Sequence, residues 1–205
     1  HLDRRISQEE FWGAFERLHS RGDITYMGSS NFPGWGLAKY QQAALQRGFT
    51  GFVSEQTMYN LICRYPELEV IPAAQDFGIG ILAYMPLAGG LLSGKRQTKP
   101  GSRSAFIQED YGIQLEANPV FDEFSKICAE IGQPEYIVAT AWVLANPAVS
   151  SAIVGPRKIE HLEAAAKAAE LELDSEVMER LTTIFDIMRG RPLRNNNPAP
   201  EAYAW

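Results

Sequence analysis

Short apolar runs bounded by glycine, proline or polar residues recur along the chain and predict β-strands. They lie at 24–28, 51–56, 79–83 and 151–155. The third run opens the segment 78–95, and its glycine before and Pro86 after predict a strand buried on both faces, as in a parallel sheet. Polar residues follow each run directly, which places polar chemistry at the strand ends.

Segments with a helical period of apolar residues lie between these runs. The first predicted helix starts after Ser7, whose spacing to Glu10 fits a capping box, and ends at Gly22. The other predicted helices cover 35–46, 65–76, 118–131, 134–145, 159–169 and 175–187. The segment 97–115 and the tail 191–205 predict loop and irregular structure.

The helical spacing also predicts which side chains face the core. In the first helix these are Phe11, Ala14, Phe15 and Leu18. In the second they are Leu37, Tyr40, Ala44 and Leu45, and in the third Leu68, Ile71 and Ala74.

Strands alternating with helices indicate an α/β fold with parallel strands and right-handed crossovers, in one domain over 1–205. No G-x-G-x-x-G motif follows a strand and opens a helix, which argues against a Rossmann domain.

Composition narrows the function classes. The 205 residues carry a net charge of −6 with scattered basic residues, which argues against binding to nucleic acid or anionic membranes. No apolar run has the length of a membrane span, and the polar start HLDRRISQEE is unlike a signal peptide. Cys63 and Cys128 lack metal-type spacing, so we expect core residues in a reducing, cytoplasmic compartment and no bound metal. Because the chain starts at His1, we expect it to be part of a longer protein.

The residues at the predicted strand ends are groups that could bind one ligand. In a parallel sheet the carboxyl ends of the strands lie at one edge, so these residues are expected to lie close together. Ser30, Asn31 and Gln56 are neutral hydrogen-bonding groups suited to a carboxamide, and Tyr84 offers a flat ring. Small residues after Tyr84 expose backbone N–H groups, while Lys95 and Arg157 supply positive charge. Such a set suits a nicotinamide dinucleotide. The alternative is that each residue serves a turn, a cap or the surface.

Several longer stretches resemble one family. They are GSSNFPGW, SEQTMYNL, YMPLAGGLLSGK and AWVLANPAVSSAIVGPRKIEHLEAA, together with the ending PEAYAW. They are similar to the C-terminal half of the aldo-keto reductases, most of all the bacterial branch related to the potassium-channel β subunits. The resemblance covers essentially the whole chain.

The resemblance implies a (β/α)8 TIM barrel that binds NADPH without a Rossmann domain. It places Ser30, Asn31 and Gln56 at the nicotinamide carboxamide and Tyr84 on the nicotinamide ring. The remaining implied cofactor-binding residues are Met85, Pro86, Leu87, Ala88 and Gly90 along the pyrophosphate, Lys95 and Arg103 near the phosphates, and Gly155, Pro156, Arg157 and His161 on the adenosine side. His161 stands in place of the usual glutamine, and Ala164 and Ala165 replace the residues that contact adenine.

The family's catalytic Asp, Tyr, Lys and His are expected upstream of His1, because HLDRR resembles the segment just after the catalytic histidine. The chain would then cover approximately strands 5–8. Half a barrel leaves two open sheet edges and a bare inner face. We therefore expect the missing N-terminal half as a partner, in a longer or nicked enzyme, or else pairing with another copy in a homo-oligomer.

The resemblance thus implies an NADPH-dependent reductase of a small aldehyde or ketone. Trp35, the segment 97–115 and the tail either line the substrate side or serve packing. Two alternatives stay open: a non-catalytic, NADPH-sensing subunit like the channel β subunits, and an inactive fragment.

Overall fold

The computed structural model describes residues 1–95, 99–111, 115, 116 and 118–186. Its strands are β1 Met27–Ser30, β2 Phe52–Met58, β3 Gly80–Tyr84 and β4 Val149–Ile153. Its α-helices are α1 Gln8–Ser20, α2 Gly34–Gln46, α3 Val70–Asp76, α4 Arg103–Tyr111, α5 Pro119–Glu130, α6 Glu135–Leu144, α7 Ile159–Glu170 and α8 Ser175–Ile184. Two short 3₁₀ helices, Tyr65–Glu67 and Ala88–Gly90, lie before α3 and after β3.

The four described strands form one parallel sheet in the order β1-β2-β3-β4, so each strand neighbours the next in sequence. The register sets Ser30 beside Gln56, Met58 beside Tyr84, and Tyr84 beside Ile153. The predicted parallel α/β organisation is therefore present, and the carboxyl ends of all four strands lie at one edge.

Side-chain caps fix three of the helix starts. The backbone N–H of Glu10 donates to Ser7 Oγ over 3.1 Å at α1. Asn118 accepts from the Val120 N–H at α5, and Asp174 from the Val177 N–H at α8. These residue types satisfy N–H groups that the first turn leaves without a helical partner.

One face of the sheet is buried beneath the helices, and the other is open. Ile81 and Ala83 point to the covered face and are fully buried, whereas Leu82 and Tyr84 on the other face are half-buried. The prediction that the third strand is buried on both faces is therefore wrong for the described residues, because no described element covers its second face.

Two helix predictions need correction. The segment 97–115, expected to be loop, contains α4, whose mixed polar sequence hides its helical period. The predicted helix 65–76 is divided into a 3₁₀ turn and α3, because Glu69, between them, lies outside helical geometry at φ −147°. Strand boundaries shift by up to three residues, and the tail 191–205 lies outside the described residues.

Two predicted core positions are exposed, and one core residue was not predicted. Leu45 is 50% exposed and Leu68 60% exposed. Leu45 lies just past the buried stripe of α2, and Leu68 lies in the break before α3, out of phase with Ile71. In α1 the fully buried side chain is Trp12, whose indole N–H donates to the Tyr40 carbonyl over 2.9 Å; Phe11 and Phe15 pack beside it.

Within the described ranges, no helix is both long and apolar enough to cross a membrane.

Candidate functional site

Three predicted site residues, Ser30, Asn31 and Gln56, meet where β1 ends beside β2. Ser30 and Gln56 are cross-strand neighbours. The Asn31 backbone N–H donates to the Gln56 carbonyl over 2.9 Å, which extends the pairing by one residue. The structure therefore brings these hydroxyl and amide groups together.

Tyr84, at the end of β3, joins the same group. Its hydroxyl donates to Asn31 Oδ1 over 3.1 Å. Burial, with Cys63 and Glu55 nearby, raises the pKa of Tyr84 to about 12, so the phenol keeps its proton at neutral pH. The bond fixes the planar Asn31 amide relative to the Tyr84 ring. We call Ser30, Asn31, Gln56 and Tyr84 the polar corner.

A buried carboxylate lies beneath the polar corner. Glu55 is fully buried, and its oxygens accept from the Ser29 hydroxyl and, over 3.1 Å, from the Phe32 N–H. Burial raises the pKa of Glu55 to about 7, against the lowering effect of these hydrogen bonds. Glu55 therefore holds the residues on both sides of Ser30 and Asn31.

The loop after Tyr84 runs through unusual backbone conformations. Met85 and Ala88 have φ values of 57° and 48°, and Asn31 has 53°. Among the described residues these are the non-glycine positions with positive φ, and all three belong to the predicted cofactor site. Strained backbone of this kind persists only where its surroundings hold it, and it concentrates at functional sites.

Asn60 supplies part of that support. Its side-chain amide donates to the Met85 carbonyl over 2.9 Å, and its Oδ1 accepts from the N–H groups of Ile62 and Cys63. The turn after β2 is thereby joined to the loop after β3.

The helix that the sequence did not predict lies against this loop. A side chain added at Gly90 would come within 3.8 Å of Ser104, near the start of α4. Ser102 caps α4 by accepting from the Ala105 N–H over 3.2 Å. Arg103 opens α4, but its side chain lies outside the described residues. Lys95 is exposed just after the loop.

The residues after β4 form a separate exposed group, one strand away from Tyr84. Gly155, Pro156 and Arg157 are exposed, and the Arg157 N–H donates to His161 Nδ1 over 3.4 Å. α7 begins immediately after this turn. The group therefore lies at the same sheet edge but is not part of the polar corner.

Trp35 lies in the first turn of α2, downstream of the polar corner. Its side chain is 39% exposed, and the Arg4 guanidinium lies 5.2 Å from its ring centroid. This contact fits either packing or a role in lining the substrate side.

The polar corner can recognise a flat ring that bears a carboxamide. Its hydroxyl and two amides offer donors and acceptors, and Tyr84 offers a ring face beside them. The following loop turns through Ala88, Gly89 and Gly90, where the Ala88 and Gly90 N–H groups donate to the Met85 and Leu87 carbonyls within the turn. The small side chains of this loop allow a ligand to approach its backbone closely. In the described part of the chain, no group of His, Cys, Asp and Glu side chains is arranged to hold a metal ion.

Sequence reasoning missed Glu55, Asn60 and α4. Glu55 lies between Ser54 and Gln56, a polar run that is typical of an exposed strand end. Nothing in the sequence therefore indicated that the Glu55 side chain is buried. Asn60 carried a signal, because asparagine at the start of a turn commonly accepts from nearby backbone N–H groups.

Comparison with known proteins identifies the family of this chain. The model of the aldo/keto reductase family matches residues 1–186. The chain is 45% identical to the uncharacterized oxidoreductase YrpG of Bacillus subtilis (strain 168), over 100% of this chain and 60% of that protein. It is 30% identical to a putative voltage-gated potassium channel subunit beta of Schizosaccharomyces pombe, over 93% of this chain and 58% of that protein.

A solved structure carries the same fold. The crystal structure of the thermostable aldo-keto reductase Tm1743 with the inhibitor epalrestat aligns with a TM-score of 0.69 at 24% identity. The alignment covers 90% of this chain and 57% of that one, and it supports the (β/α)8-barrel fold. The chain thus spans between about half and three-fifths of the length of the relatives it matches. With a family model over residues 1–186 and relatives that include an oxidoreductase and a channel β subunit, the predicted family is confirmed: the chain belongs to the aldo/keto reductases.

Proposed function

We propose that this chain is the cofactor-binding half of an NADPH-dependent reductase of small aldehydes or ketones. The polar corner is the observation that carries the proposal. Its hydroxyl and amide groups are neutral, converge at one sheet edge and match the donors and acceptors of a carboxamide. The positive φ values at Asn31, Met85 and Ala88 also support a functional site here, because strained backbone concentrates at such sites.

The chain's own residues have separate roles in this proposal. Ser30, Asn31 and Gln56 orient the nicotinamide carboxamide, and Tyr84 presents its ring face to the nicotinamide. The loop Met85–Gly90 follows the pyrophosphate, with Lys95 and Arg103 as its cations. When bound, NADPH supplies the hydride that reduces the carbonyl carbon.

The preference for NADPH over NADH rests on the group after β4. Arg157 is an exposed cation beside the start of α7, a position that suits the 2′-phosphate. Ala164 and Ala165 offer no polar side chain to adenine, so the cations must supply most of the binding at that end.

We further propose that the described strands are barrel strands 5–8. The sheet has an open face, and β1 and β4 each pair with one described neighbour. Since the matched relatives are longer than the alignment, we place the catalytic Asp, Tyr, Lys and His in a preceding half-barrel. That half would cover the open face and supply the proton for the carbonyl oxygen.

A second function is favoured by one similarity. The relative from Schizosaccharomyces pombe is described as a putative channel β subunit, and its match covers nearly the whole of this chain. A cofactor-sensing subunit would bind NADPH through the same polar corner with little turnover. An inactive fragment would neither bind NADPH nor reduce a carbonyl compound.

Two measurements on the isolated protein separate these functions. The intact mass of the denatured protein shows whether a polypeptide longer than 205 residues carries the chain. Absorbance at the reduced-nicotinamide band, followed with a panel of aldehydes and ketones, then reports reduction. We expect the longer mass and carbonyl-dependent loss of NADPH. Binding of NADPH without turnover across the panel favours the sensing subunit, and absence of NADPH binding contradicts the proposed site.

A further inference from the structure

We propose that Glu55 is a positioning residue of the cofactor site, whose buried carboxylate fixes the corner that carries Ser30 and Asn31. Glu55 does not face the proposed ligand; it acts through the backbone that presents the ligand-binding groups. The inference rests on the proposed function, because its effect is measured at the nicotinamide end of the cofactor.

The hydrogen bonds of Glu55 are made to the residues on either side of Ser30 and Asn31, the two proposed ligand-binding residues. One oxygen accepts from the Ser29 hydroxyl, on the residue before Ser30, and the other from the Phe32 N–H, on the residue after Asn31. Glu55 is 0% exposed, so water cannot replace either contact. Neither Ser29 nor Phe32 belongs to the polar corner, yet both determine where it lies.

The backbone conformation of Asn31 depends on these hydrogen bonds. Asn31 has a φ of 53°, a left-handed conformation that is uncommon in non-glycine residues and persists where the surrounding structure holds it. Hydrogen bonds to an ionised acceptor are roughly twice as strong as neutral ones. A carboxylate at this position therefore holds the corner more firmly than a neutral side chain of the same shape.

The contacts of Glu55 also allow a protonated state. The Ser29 hydroxyl lies 3.4 Å from the Ser54 carbonyl, so it can donate there while accepting the proton of a neutral Glu55. The hydrogen-bonding groups around Glu55 belong to Ser29, Asn31 and Phe32, and the Glu55 carboxylate in turn helps to raise the pKa of the neighbouring Tyr84 phenol. Since burial brings the pKa of Glu55 to about 7, both states occur near neutral pH, and the ionised state holds the corner more tightly.

The test compares two ligands that differ at the nicotinamide end. NADP⁺ carries the nicotinamide, whereas 2′-phosphoadenosine 5′-diphosphoribose lacks it and keeps the remaining contacts. Calorimetric titration of the isolated protein at pH 6 and pH 8 gives the ratio of their dissociation constants. The variants are E55M, which keeps bulk but removes both acceptors, E55Q, which keeps one, and T57V as the matched control. Thr57 is a buried polar residue on the same strand and the same face, two residues beyond Glu55.

We expect the native protein to prefer NADP⁺, and E55M to lower that preference about tenfold through loss of the two hydrogen bonds. Binding of the ligand without nicotinamide should change less than about twofold, and T57V should keep the native ratio. The native ratio should rise about threefold from pH 6 to pH 8, whereas E55Q should show no such rise.

An unchanged ratio in E55M, or equal losses for both ligands, would overturn the role of Glu55 while leaving the nicotinamide site intact. If the native protein shows no preference for NADP⁺, the proposed site itself fails. If E55M does not fold, E55Q decides the matter, because a native-like pH profile in E55Q also overturns the inference.

Discussion

Backbone strain marks the centre of the site at the scale of single residues. Asn31, Met85 and Ala88 adopt positive φ values, and the first two are held by side chains from other segments. Tyr84 and Glu55 hold the region of Asn31, and Asn60 holds Met85. The local cost of this geometry is offset by hydrogen bonds that the fold places around it.

The strain at Asn31 can be measured by comparing N31G with N31A. Glycine adopts positive φ at no steric cost, whereas alanine retains the penalty of a Cβ. We expect N31A to have a free energy of unfolding about 1 kcal/mol lower than N31G in urea denaturation.

Gln42 provides the matched control, because it is exposed within the helix α2. There the preference should be the opposite, with Q42G about 1 kcal/mol lower in free energy of unfolding than Q42A. If alanine were equal to or better than glycine at position 31, the corner would not be strained.

The raised pKa of Glu55 predicts how the free energy of unfolding changes with pH. Its pKa is about 7 in the fold, against an ordinary value of 4.5, because burial disfavours the charged form. Between these values the folded state holds a proton that the unfolded state has released. The free energy of unfolding therefore falls as pH rises through this window, by at most about 1.4 kcal/mol per pH unit from this group.

E55Q lacks this titration. The free energy of unfolding of E55Q minus that of the native protein should therefore rise with pH between about 4.5 and 7 and then level off. Denaturation curves recorded across this range test the prediction. A constant difference, or one that falls with pH, would mean that Glu55 is not buried as the structure has it.

Secondary-structure elements were predictable where apolar periodicity was strong. The four strands and the helices α1, α2, α5, α6, α7 and α8 follow their patterns within a few residues. The helix α4 was not predicted, because its sequence has too few strongly apolar side chains to define a buried face. Leu45 shows the other limit, since one step along a helix moves a side chain by about 100° and out of the buried stripe.

The polar corner was predictable because it depends on topology more than on side-chain detail. Parallel strands bring their carboxyl ends together, so residues at or near the ends of neighbouring strands meet. The supports of the corner were not predictable in this way. Glu55 and Asn60 act through hydrogen bonds across segments, and these depend on a three-dimensional packing that spacing along the chain does not encode.

A buried ion pair links the turn after β2 to the last described helix. The Arg64 guanidinium bonds both oxygens of Glu67 over 2.9 and 2.8 Å and donates to the Thr182 carbonyl in α8 over 2.9 Å. It also lies 5.6 Å from the ring centroid of Trp142. Arg64 is 4% exposed, so water cannot readily replace these bonds when the side chain is removed.

We therefore expect R64A to lower the free energy of unfolding by about 3 kcal/mol, measured by urea denaturation. R5A is the control, because the Arg5–Asp3 pair is exposed and its removal should leave the free energy of unfolding close to the native value. Similar losses in the two variants would contradict a structural role for the Arg64 cluster.

At the scale of the whole molecule, the described residues leave one face of the sheet open, which is consistent with the proposal that they form part of a barrel. Gly28 and Ser54 adjoin on that face, where a side chain at Gly28 would collide with the Ser54 hydroxyl. Small residues there leave room for side chains from facing strands, as in the filled interior of a (β/α)8 barrel. The matched relatives are long enough to provide such strands.

A nicotinamide site at the polar corner is tested most directly by equilibrium titration of the isolated protein with NADPH, followed by fluorescence, in native, Q56A and Q75A forms. Gln56 belongs to the polar corner, whereas Gln75 is exposed on α3 and serves as the control. We predict saturable binding to the native protein, weakening of about tenfold in Q56A and no change in Q75A. No saturable binding, or equal affinity in the native and Q56A forms, would contradict a nicotinamide site at these strand ends.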